Sequence, residues 1–306
     1  MQPTLFSKPK NVVNILVIAF GGYFLYQNIS ELGGQLKLLN LPFFCFAIFL
    51  AVLAIICSAY KLKLTLEVMV KKDISFWGWV YVFTKSYILN NLIPYSGIAY
   101  RGIYLKKQYQ ISYTDYISAT YLFGVIGLLL LMCTAALLLS FHGHPIFFIG
   151  IIISLILGVK FKFYFFNKLS RLSLKNEKLN FYLNKLENLG FSLENILTNK
   201  RRYLFLLVYV SCLCMDFFVY QFVLLSIEPS TAFYIMIYIY LPYSLAWLIK
   251  LTPGNFGVQE ILMGGVTSMV GLGLMSGVTL SILLRFVNLV SAFLLWIISA
   301  IVSDRR

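Results

Sequence analysis

The fold is decided by two interruptions of long apolar runs, Asn90-Asn91-Leu92-Ile93-Pro94-Tyr95-Ser96-Gly97-Ile98-Ala99-Tyr100-Arg101 and Lys250-Leu251-Thr252-Pro253-Gly254-Asn255-Phe256-Gly257-Val258-Gln259-Glu260. Each interruption introduces Pro and Gly into a hydrophobic stretch and places a charged residue seven positions after the Pro. Inside a bilayer, non-helical backbone is tolerated only where protein or a water-filled cavity satisfies its polar groups. The two breaks therefore predict a substrate site near the membrane midplane.

The composition places the whole chain in a membrane. The 306 residues are 60% hydrophobic and only 12% charged, with a mean hydropathy of +0.84, whereas a soluble domain carries about 25% charged residues. We predict an all-α polytopic bundle that forms a single transmembrane domain over residues 1–306. The first apolar run, 12–26, lacks a small-residue cleavage motif and is interpreted as a retained span.

Apolar runs of the roughly 20 residues needed to cross a bilayer lie near 11–27, 41–61, 115–141, 145–166, 203–226 and 279–302. Two further runs end at the breaks and are followed by shorter apolar helices. Because Pro94 to Lys106 is too short to cross a membrane at about 1.5 Å per residue, we predict re-entrant hairpins over 76–107 and 230–275. The expected architecture is six full spans and two hairpins, with a first half of 1–141 and a second half of 142–306.

Positive charge sets the predicted topology. The net charge is +14, and half of it lies between Lys160 and Arg202, where ten basic residues face three acidic ones. Basic loops favour the cytoplasmic side, which predicts cytoplasmic termini, a cytoplasmic loop near 62–75, location in the cytoplasmic (inner) membrane, and hairpins that open to opposite sides, as in an inverted repeat. No nucleic-acid module pattern is present, so the clusters favour contact with anionic lipid heads.

The polar stretch 167–202 is predicted to be a cytoplasmic amphipathic segment. Leucines recur there at three- and four-residue steps, with lysines and glutamates between them. Such a helix lies on a membrane surface or packs on a neighbouring subunit.

Ionisable residues within apolar runs are costly and mark functional sites or ion pairs; here they are Lys85, Arg101, Asp216, Lys250, Glu260 and Arg285. Arg101 and Glu260 hold matching positions after the two prolines and could meet in a pseudosymmetric core, either as a structural ion pair or around a ligand. A guanidinium group matches phosphate geometry, so we expect Arg101, Lys250 and Arg285 to attract a lipid phosphate. Asp216, near the middle of its span, is the candidate for proton coupling.

The break residues supply a second element of the predicted site. A helix that restarts after a break presents N–H groups and a positive dipole end that suit an anion, and the residues expected to form the breaks are Pro94, Gly97, Pro253, Gly254 and Gly257. Asn91 and Asn255, together with Asn90 and Thr252, are expected either to bind ligand hydroxyls or to cap the broken helices. Both alternatives stay open.

Other chemistry is not indicated. The five cysteines lie within apolar runs, and His142 and His144 have no acidic or Cys partner nearby, so neither a metal nor a cofactor is predicted. Common hydrolase, nucleotide-binding and metalloprotease motifs are absent. An enzyme would have to rely on Asp216 or Glu260.

The break motifs carry a family resemblance. Asn91-x-x-Pro94 with Gly97 and Arg101, then Thr252-Pro253-Gly254-x-Phe256-Gly257-x-x-Glu260, and Arg285 within Leu284-Arg285-Phe286-Val287-Asn288, resemble the lysylphosphatidylglycerol synthase/flippase transmembrane family over nearly the whole chain. Members include the flippase half of bacterial aminoacyl-phospholipid proteins and stand-alone relatives linked to lipid or glycan export. We expect the membrane domain alone, without the aminoacyl-transferase domain of the fused proteins.

These observations predict translocation of an anionic phospholipid or a lipid-linked sugar across the cytoplasmic membrane. Two alternatives stay open, namely a membrane-embedded glycosyl- or acyl-transferase, or an accessory subunit of lipid or glycan biosynthesis, and an ion or small-solute carrier. The expected partners are membrane lipids, anionic or polyprenyl-linked. A homo-oligomer and a partner biosynthetic enzyme are both compatible with the sequence.

Overall fold

The structure is a computed structural model that describes residues 33–34, 36–70, 72–93, 95–141, 202–246 and 255–303. Every regular element within these ranges is helical. Several sequence predictions lie outside the described residues, and they are the spans 11–27 and 145–166, nearly all of segment 167–202, His142, His144, Pro94, Lys250, Thr252, Pro253 and Gly254.

The helices described in full are α1 (Leu41–Val70), α2 (Phe76–Leu92), α3 (Ser96–Tyr109), α4 (Tyr113–Phe141), α5 (Arg202–Ile227), α6 (Phe233–Ala246), α7 (Val258–Met269) and α8 (Leu274–Ser303). Four stretches of them are long and apolar enough to cross a membrane, namely Leu41–Val70, Tyr113–Cys133, Tyr203–Ile227 and Leu274–Val302. They coincide with four of the six predicted spans. The prediction of an all-helical, multi-pass membrane protein is thereby confirmed.

Helix α1 extends nine residues past the predicted span 41–61. Leu62, Leu64 and Leu66 are buried, and Lys63 and Glu67 form an ion pair at helical spacing, with 2.5 Å between Nζ and Oε1. Glu67 also accepts a hydrogen bond from the backbone N–H of Ile74 at 3.0 Å. Most of the loop predicted near 62–75 is therefore helical, because Leu62, Leu64 and Leu66 are buried and Lys63 is paired with Glu67.

The first break separates α2 from α3 as predicted. Tyr95 adopts a left-handed conformation with φ of 65°, and α3 then folds back along α2. Gly97 lies so close to the backbone of Ser86 that a side chain at Gly97 would overlap the Ser86 carbonyl group. The helix–break–helix expected over 76–107 is present, with α3 ending at Tyr109. Its re-entry into the membrane stays a prediction.

The second break leads into a tight pair of helices, α7 and α8. Asn255 and Gly257 have φ values of 58° and 82°, and α7 begins directly after them. Thr267 closes the α7–α8 turn by donating its hydroxyl to the carbonyl of Gly273 at 2.8 Å. A side chain at Gly277 would overlap the backbone of Met263. Helices α7 and α8 are therefore closely packed antiparallel neighbours, and α8 begins five residues before the predicted span 279–302.

The chain forms two compact units. The first consists of Met1–Ile56, Trp77–Arg101 and Cys214–Arg306, and its core is formed by buried side chains that include Ala47, Ala51, Val223, Leu224, Met236, Met263 and Leu284. The second consists of Cys57–Phe76 and Gly102–Leu213, with a core around Leu64, Leu122, Phe205, Val208 and Tyr209. Each unit thus joins segments that are distant in the sequence.

Candidate functional site

Arg285 is a buried cation in the first unit. Its residue exposure is 9%, and it lies eleven residues after the first residue of α8, which corresponds to about 17 Å along the helix axis. Because the hydrocarbon core is about 30 Å thick, a helix that starts at the membrane surface places Arg285 close to the midplane. Because α8 starts five residues before the predicted span 279–302, Arg285 lies further into its helix than that span predicted.

One nitrogen of Arg285 makes all of the described hydrogen bonds of its guanidinium group. Nη2 donates to the backbone carbonyl of Asn255 at 3.0 Å, to Oε1 of Gln259 at 3.1 Å and to Oε2 of Glu260 at 3.1 Å. The same nitrogen lies 2.9 Å from Oε1 of Glu260. The charge partner that the structure gives Glu260 is therefore Arg285 of the neighbouring helix.

Glu260 is held in place by the start of its own helix. Its Oε2 accepts a hydrogen bond from the backbone N–H of Gly257 at 2.8 Å, so the carboxylate satisfies one of the N–H groups that every helix start leaves without an intrahelical partner. The positive φ of Gly257 suits glycine, which has no Cβ to clash. The break thus fixes the carboxylate that faces Arg285.

An aromatic ring covers the guanidinium group. The centroid of the Phe256 ring lies 3.9 Å from Cζ of Arg285, within the range of a cation–π contact. Phe256 is nevertheless 49% exposed. Tyr243 donates its hydroxyl to Oε1 of Gln259 at 3.4 Å and so links α6 to the same cluster. Arg285 is consequently held by a ring, an ion pair and an amide.

Arg285 still has donors to offer. Its Nε and Nη1 are buried and have no hydrogen-bond partner within the described ranges. A guanidinium group carries five N–H donors; since two belong to Nη2, three remain on these two nitrogens. Leaving charged donors unsatisfied is costly, and more so in a low-dielectric interior. The arrangement is therefore suited to an anion that accepts several hydrogen bonds.

The cations predicted at the first break lie against aromatic rings. Arg101 is buried, with its Cζ 5.2 Å from the ring centroid of Phe83. Lys85 is half-buried, and its Nζ lies 5.2 Å from the ring centroid of Tyr100. Both contacts join side chains of the first unit, and they reduce the desolvation cost of a cation in an apolar environment.

The asparagines of the first break bind backbone. Oδ1 of Asn90 accepts a hydrogen bond from the N–H of Gly97 at 2.8 Å, which caps the start of α3. Asn91 donates its Nδ2 to the carbonyl of Tyr87, one turn earlier in α2, at 3.0 Å. At the second break, Asn255 contributes its backbone carbonyl to Arg285.

Asp216 belongs to the same unit as the Arg285 cluster. It is half-buried on α5 and lies within electrostatic reach of Tyr87 and Tyr220. Tyr87 is also within reach of Arg285, and the Tyr220 ring packs edge-on against Tyr243 with 4.8 Å between centroids. Tyrosine side chains thus interact electrostatically with both Asp216 and Arg285.

Sequence reasoning missed Gln259, Phe256 and the pairing of Glu260 with Arg285. The sequence did contain a signal for this pairing, namely the similar distance of the two residues from the turn between α7 and α8. Glu260 lies nine residues before the end of α7, and Arg285 lies eleven residues after the start of α8, so a short turn between antiparallel helices brings them to the same height. The similarity of the two breaks favoured Arg101 as the partner of Glu260 instead.

Comparison with known proteins identifies one family. The model of the family described as "Lysylphosphatidylglycerol synthase TM region" matches residues 11–295. No curated protein matches the chain significantly, and no solved structure does.

Proposed function

This chain belongs to the lysylphosphatidylglycerol synthase TM family, and we propose that it moves a phosphate-bearing lipid between the leaflets of the cytoplasmic membrane. The family match indicates a membrane lipid-related function. The substrate class in the proposal is an anionic phospholipid or a lipid-linked sugar. The observation that supports it most is the buried guanidinium group of Arg285, with three N–H donors that no described residue satisfies.

Phosphate is the anion that suits these donors. A guanidinium group keeps its charge at any physiological pH and forms short, charge-assisted hydrogen bonds with phosphate oxygens. A lipid head group brings such oxygens into the membrane. If α8 starts at the membrane surface, Arg285, about 17 Å further along the helix, offers donors about halfway along the width that the head group must cross. The donors would lower the energy of the phosphate where its desolvation is greatest.

Glu260 balances the empty site. A lone charge at the bilayer centre costs about 2.5–3.5 kcal/mol even on the most lenient scale, and the Glu260 carboxylate, 2.9 Å from Nη2, cancels the charge of Arg285. When a phosphate arrives, it shares the guanidinium group with this carboxylate. Sharing the guanidinium group with Glu260 keeps the affinity for the phosphate moderate. This suits a transport site, which must release its substrate as well as bind it.

Phe256 is the movable cover in this proposal. Its ring lies over the guanidinium group and is about half exposed, and the residues on either side have positive φ values. A rotation of this ring would uncover one face of Arg285 without disturbing the ion pair. In this proposal, entry of a head group begins with this local change at the second break.

Asp216 is proposed to couple transport to protons, since a half-buried carboxylate in a spanning helix can gain and lose a proton as its surroundings change. Tyr87 interacts electrostatically with both Asp216 and Arg285, which supports a link between this titratable group and the site. In the predicted inverted repeat, one half would rock against the other to expose the site to each leaflet in turn.

The test is translocation in vesicles by Arg285→Gln. Purified protein is reconstituted with fluorescent phosphatidylglycerol, and the label that becomes accessible to an added quencher is followed over time. We expect Arg285→Gln to reduce the translocation rate by about tenfold or more, the effect of losing charged hydrogen bonds, and Arg285→Lys to retain part of the rate. Lys106→Gln is the matched control, because Lys106 is an exposed cation over the Tyr113 ring.

A wild-type rate for Arg285→Gln would overturn the proposal. Thin-layer analysis of the same vesicles addresses the rival function. A new lipid product that appears with the wild type and is lost in Glu260→Gln or Asp216→Asn would favour a transferase.

A further inference from the structure

A second buried cation lies in the second unit. Lys61 is only 7% exposed, and its Nζ lies 4.2 Å from the ring centroid of Phe123 and 4.9 Å from that of Tyr209. Phe123 belongs to α4 and Tyr209 to α5, so three helices form this aromatic box around the ammonium group. We define the box as Lys61, Phe123 and Tyr209.

The box is held by hydrogen bonds that leave the ammonium group uninvolved. Thr65 is buried and donates its hydroxyl to the backbone carbonyl of Lys61 at 2.9 Å. The Thr65 oxygen lies 3.3 Å from the Tyr209 hydroxyl; because the Thr65 proton is already committed, Tyr209 is the donor in this contact. The Tyr209 ring is thus fixed beside Lys61, among apolar neighbours that include Leu64, Leu122, Phe205 and Val208.

Two aromatic rings do not satisfy the hydrogen-bond donors of an ammonium group. They attract its charge, but its three N–H donors need oxygen acceptors, and within the part of the chain that the structure describes, Nζ of Lys61 has no carboxylate and no hydrogen-bond acceptor. Lys63, two residues further on, has Glu67. Although Lys61 is largely buried, its Nζ is still accessible to a ligand, and a cation among apolar side chains favours an anion beside it.

The position of Lys61 along α1 indicates where the anion comes from. Lys61 lies twenty residues after Leu41, or about 30 Å along the helix, which equals the thickness of the hydrocarbon core. If α1 enters the membrane at Leu41, Lys61 reaches the opposite boundary, where lipid phosphates lie. Tyr209 is consistent with this depth, since it is only seven residues from the first residue of α5.

We propose that the aromatic box is a second phosphate site, which holds the head group of an anionic lipid at the membrane boundary. The ammonium group binds a phosphate oxygen, and the two rings exclude water from the contact. This lipid is a fixed component of the protein, and the residues of its site belong to the second unit, whereas those of the proposed transport site belong to the first. Basic pockets between membrane helices are known to bind acidic head groups in this way.

The test is lipid retention and thermal stability of the purified protein. Wild type and Lys61→Gln are titrated with phosphatidylglycerol or phosphatidylcholine in detergent, with bound lipid counted by native mass spectrometry and Tm measured in parallel. We expect phosphatidylglycerol, and not phosphatidylcholine, to bind and raise the Tm of the wild type. In Lys61→Gln the apparent Kd of this lipid should rise at least about tenfold, whereas Lys61→Arg should keep most of the affinity.

Two controls separate the explanations. Lys106→Gln removes an exposed lysine that also lies over an aromatic ring, 5.1 Å from the Tyr113 centroid, and it should bind phosphatidylglycerol like the wild type. Arg285→Gln removes the proposed transport site, and lipid retention in this background should still depend on Lys61. These variants thereby distinguish a failure of the transport proposal from a failure of the aromatic-box proposal.

Wild-type phosphatidylglycerol affinity in Lys61→Gln would overturn the proposal, as would equal stabilisation by phosphatidylcholine. Inorganic phosphate is added in a separate arm, and displacement of the lipid by millimolar phosphate would overturn the assignment to a lipid in favour of a soluble anion. If Lys61→Gln does not fold, Phe123→Leu serves as the second variant, since it opens the box while keeping the charge. Unchanged affinity in Phe123→Leu would likewise count against the box.

Discussion

The two breaks of the first unit share a sequence signature but use their polar groups differently. At the first break, Asn90 accepts the N–H of Gly97 at 2.8 Å, and the hydroxyl of Ser96 donates to the carbonyl of Leu89, also at 2.8 Å. At the second break, the carbonyl of Asn255 accepts from Arg285, and the N–H of Gly257 donates to Glu260. The first break is capped by its own neighbours, whereas the second holds a charged pair.

This difference shows that a Pro–Gly interruption does not by itself define a ligand site. The contacts at the first break stabilise a helical hairpin. Among the residues that the structure describes, the contacts at the second leave three donors of a buried guanidinium group without an acceptor. Substitutions at the first break should therefore affect folding, and those at the second should affect translocation as well.

The largest expected effect belongs to Glu260→Ala. Removing one partner of a buried ion pair costs about 3–5 kcal/mol, because the remaining charge is uncompensated. We expect a loss of this size in the free energy of unfolding, measured by titration with a denaturing detergent.

The double variant Glu260→Ala/Arg285→Leu is the control, since replacing a whole buried pair by apolar groups is often close to neutral. It should recover most of the stability and none of the translocation. A loss below about 1 kcal/mol for Glu260→Ala would resemble an exposed pair and would remove the contrast between the breaks.

Gly97→Ala should have the next largest effect. The added methyl group would overlap the carbonyl of Ser86, so α3 must move away from α2, and overpacking of this kind costs about 1–3 kcal/mol. Gly265→Ala is the matched control, because the space beside Gly265 in α7 is open and Ala is favoured over Gly in a helix by about 0.8–1 kcal/mol. Thermal unfolding of both variants checks the sign, and equal Tm values would contradict the close helix contact.

Asn90→Ala tests the capping role of the first break. The loss of a helix cap costs about 1 kcal/mol, so Tm should fall modestly while the translocation rate per folded molecule stays at the wild-type value. A large loss of translocation at unchanged Tm would show that the first break also binds substrate.

Phe256→Leu should have the smallest effect on stability. Cation–π contacts at exposed sites contribute about 0.5–1 kcal/mol, so Tm should change little. Translocation should change clearly, because the cover over Arg285 is altered. Tyr95→Leu is the counterpart at the first break, since Tyr95 and Phe256 are both 49% exposed; it should leave translocation unchanged. Equal effects of the two substitutions on translocation would contradict the functional difference between the breaks.

Local sequence pattern was enough to predict where most of the described helices lie. Helices α2 and α3 lie within two residues of the expected arms of the hairpin 76–107, because Pro and Gly act on the backbone next to them. The end of α1 was not predictable in this way. Lys63 lies in the loop predicted near 62–75, since the helical continuation of α1 depends on the burial of Leu64 against α4 and α5 and on the pairing of Lys63 with Glu67.

The sequence by itself determined that this is a helical membrane protein with two broken segments and buried charges, because hydropathy and backbone restrictions are properties of neighbouring residues. Only the tertiary structure decided which charges meet. Glu260 pairs with Arg285, and Lys61 lies between Phe123 and Tyr209, through contacts that join different helices. The physical reason is that Coulomb and cation–π energies depend on distance in space, which sequence spacing fixes only within a single helix.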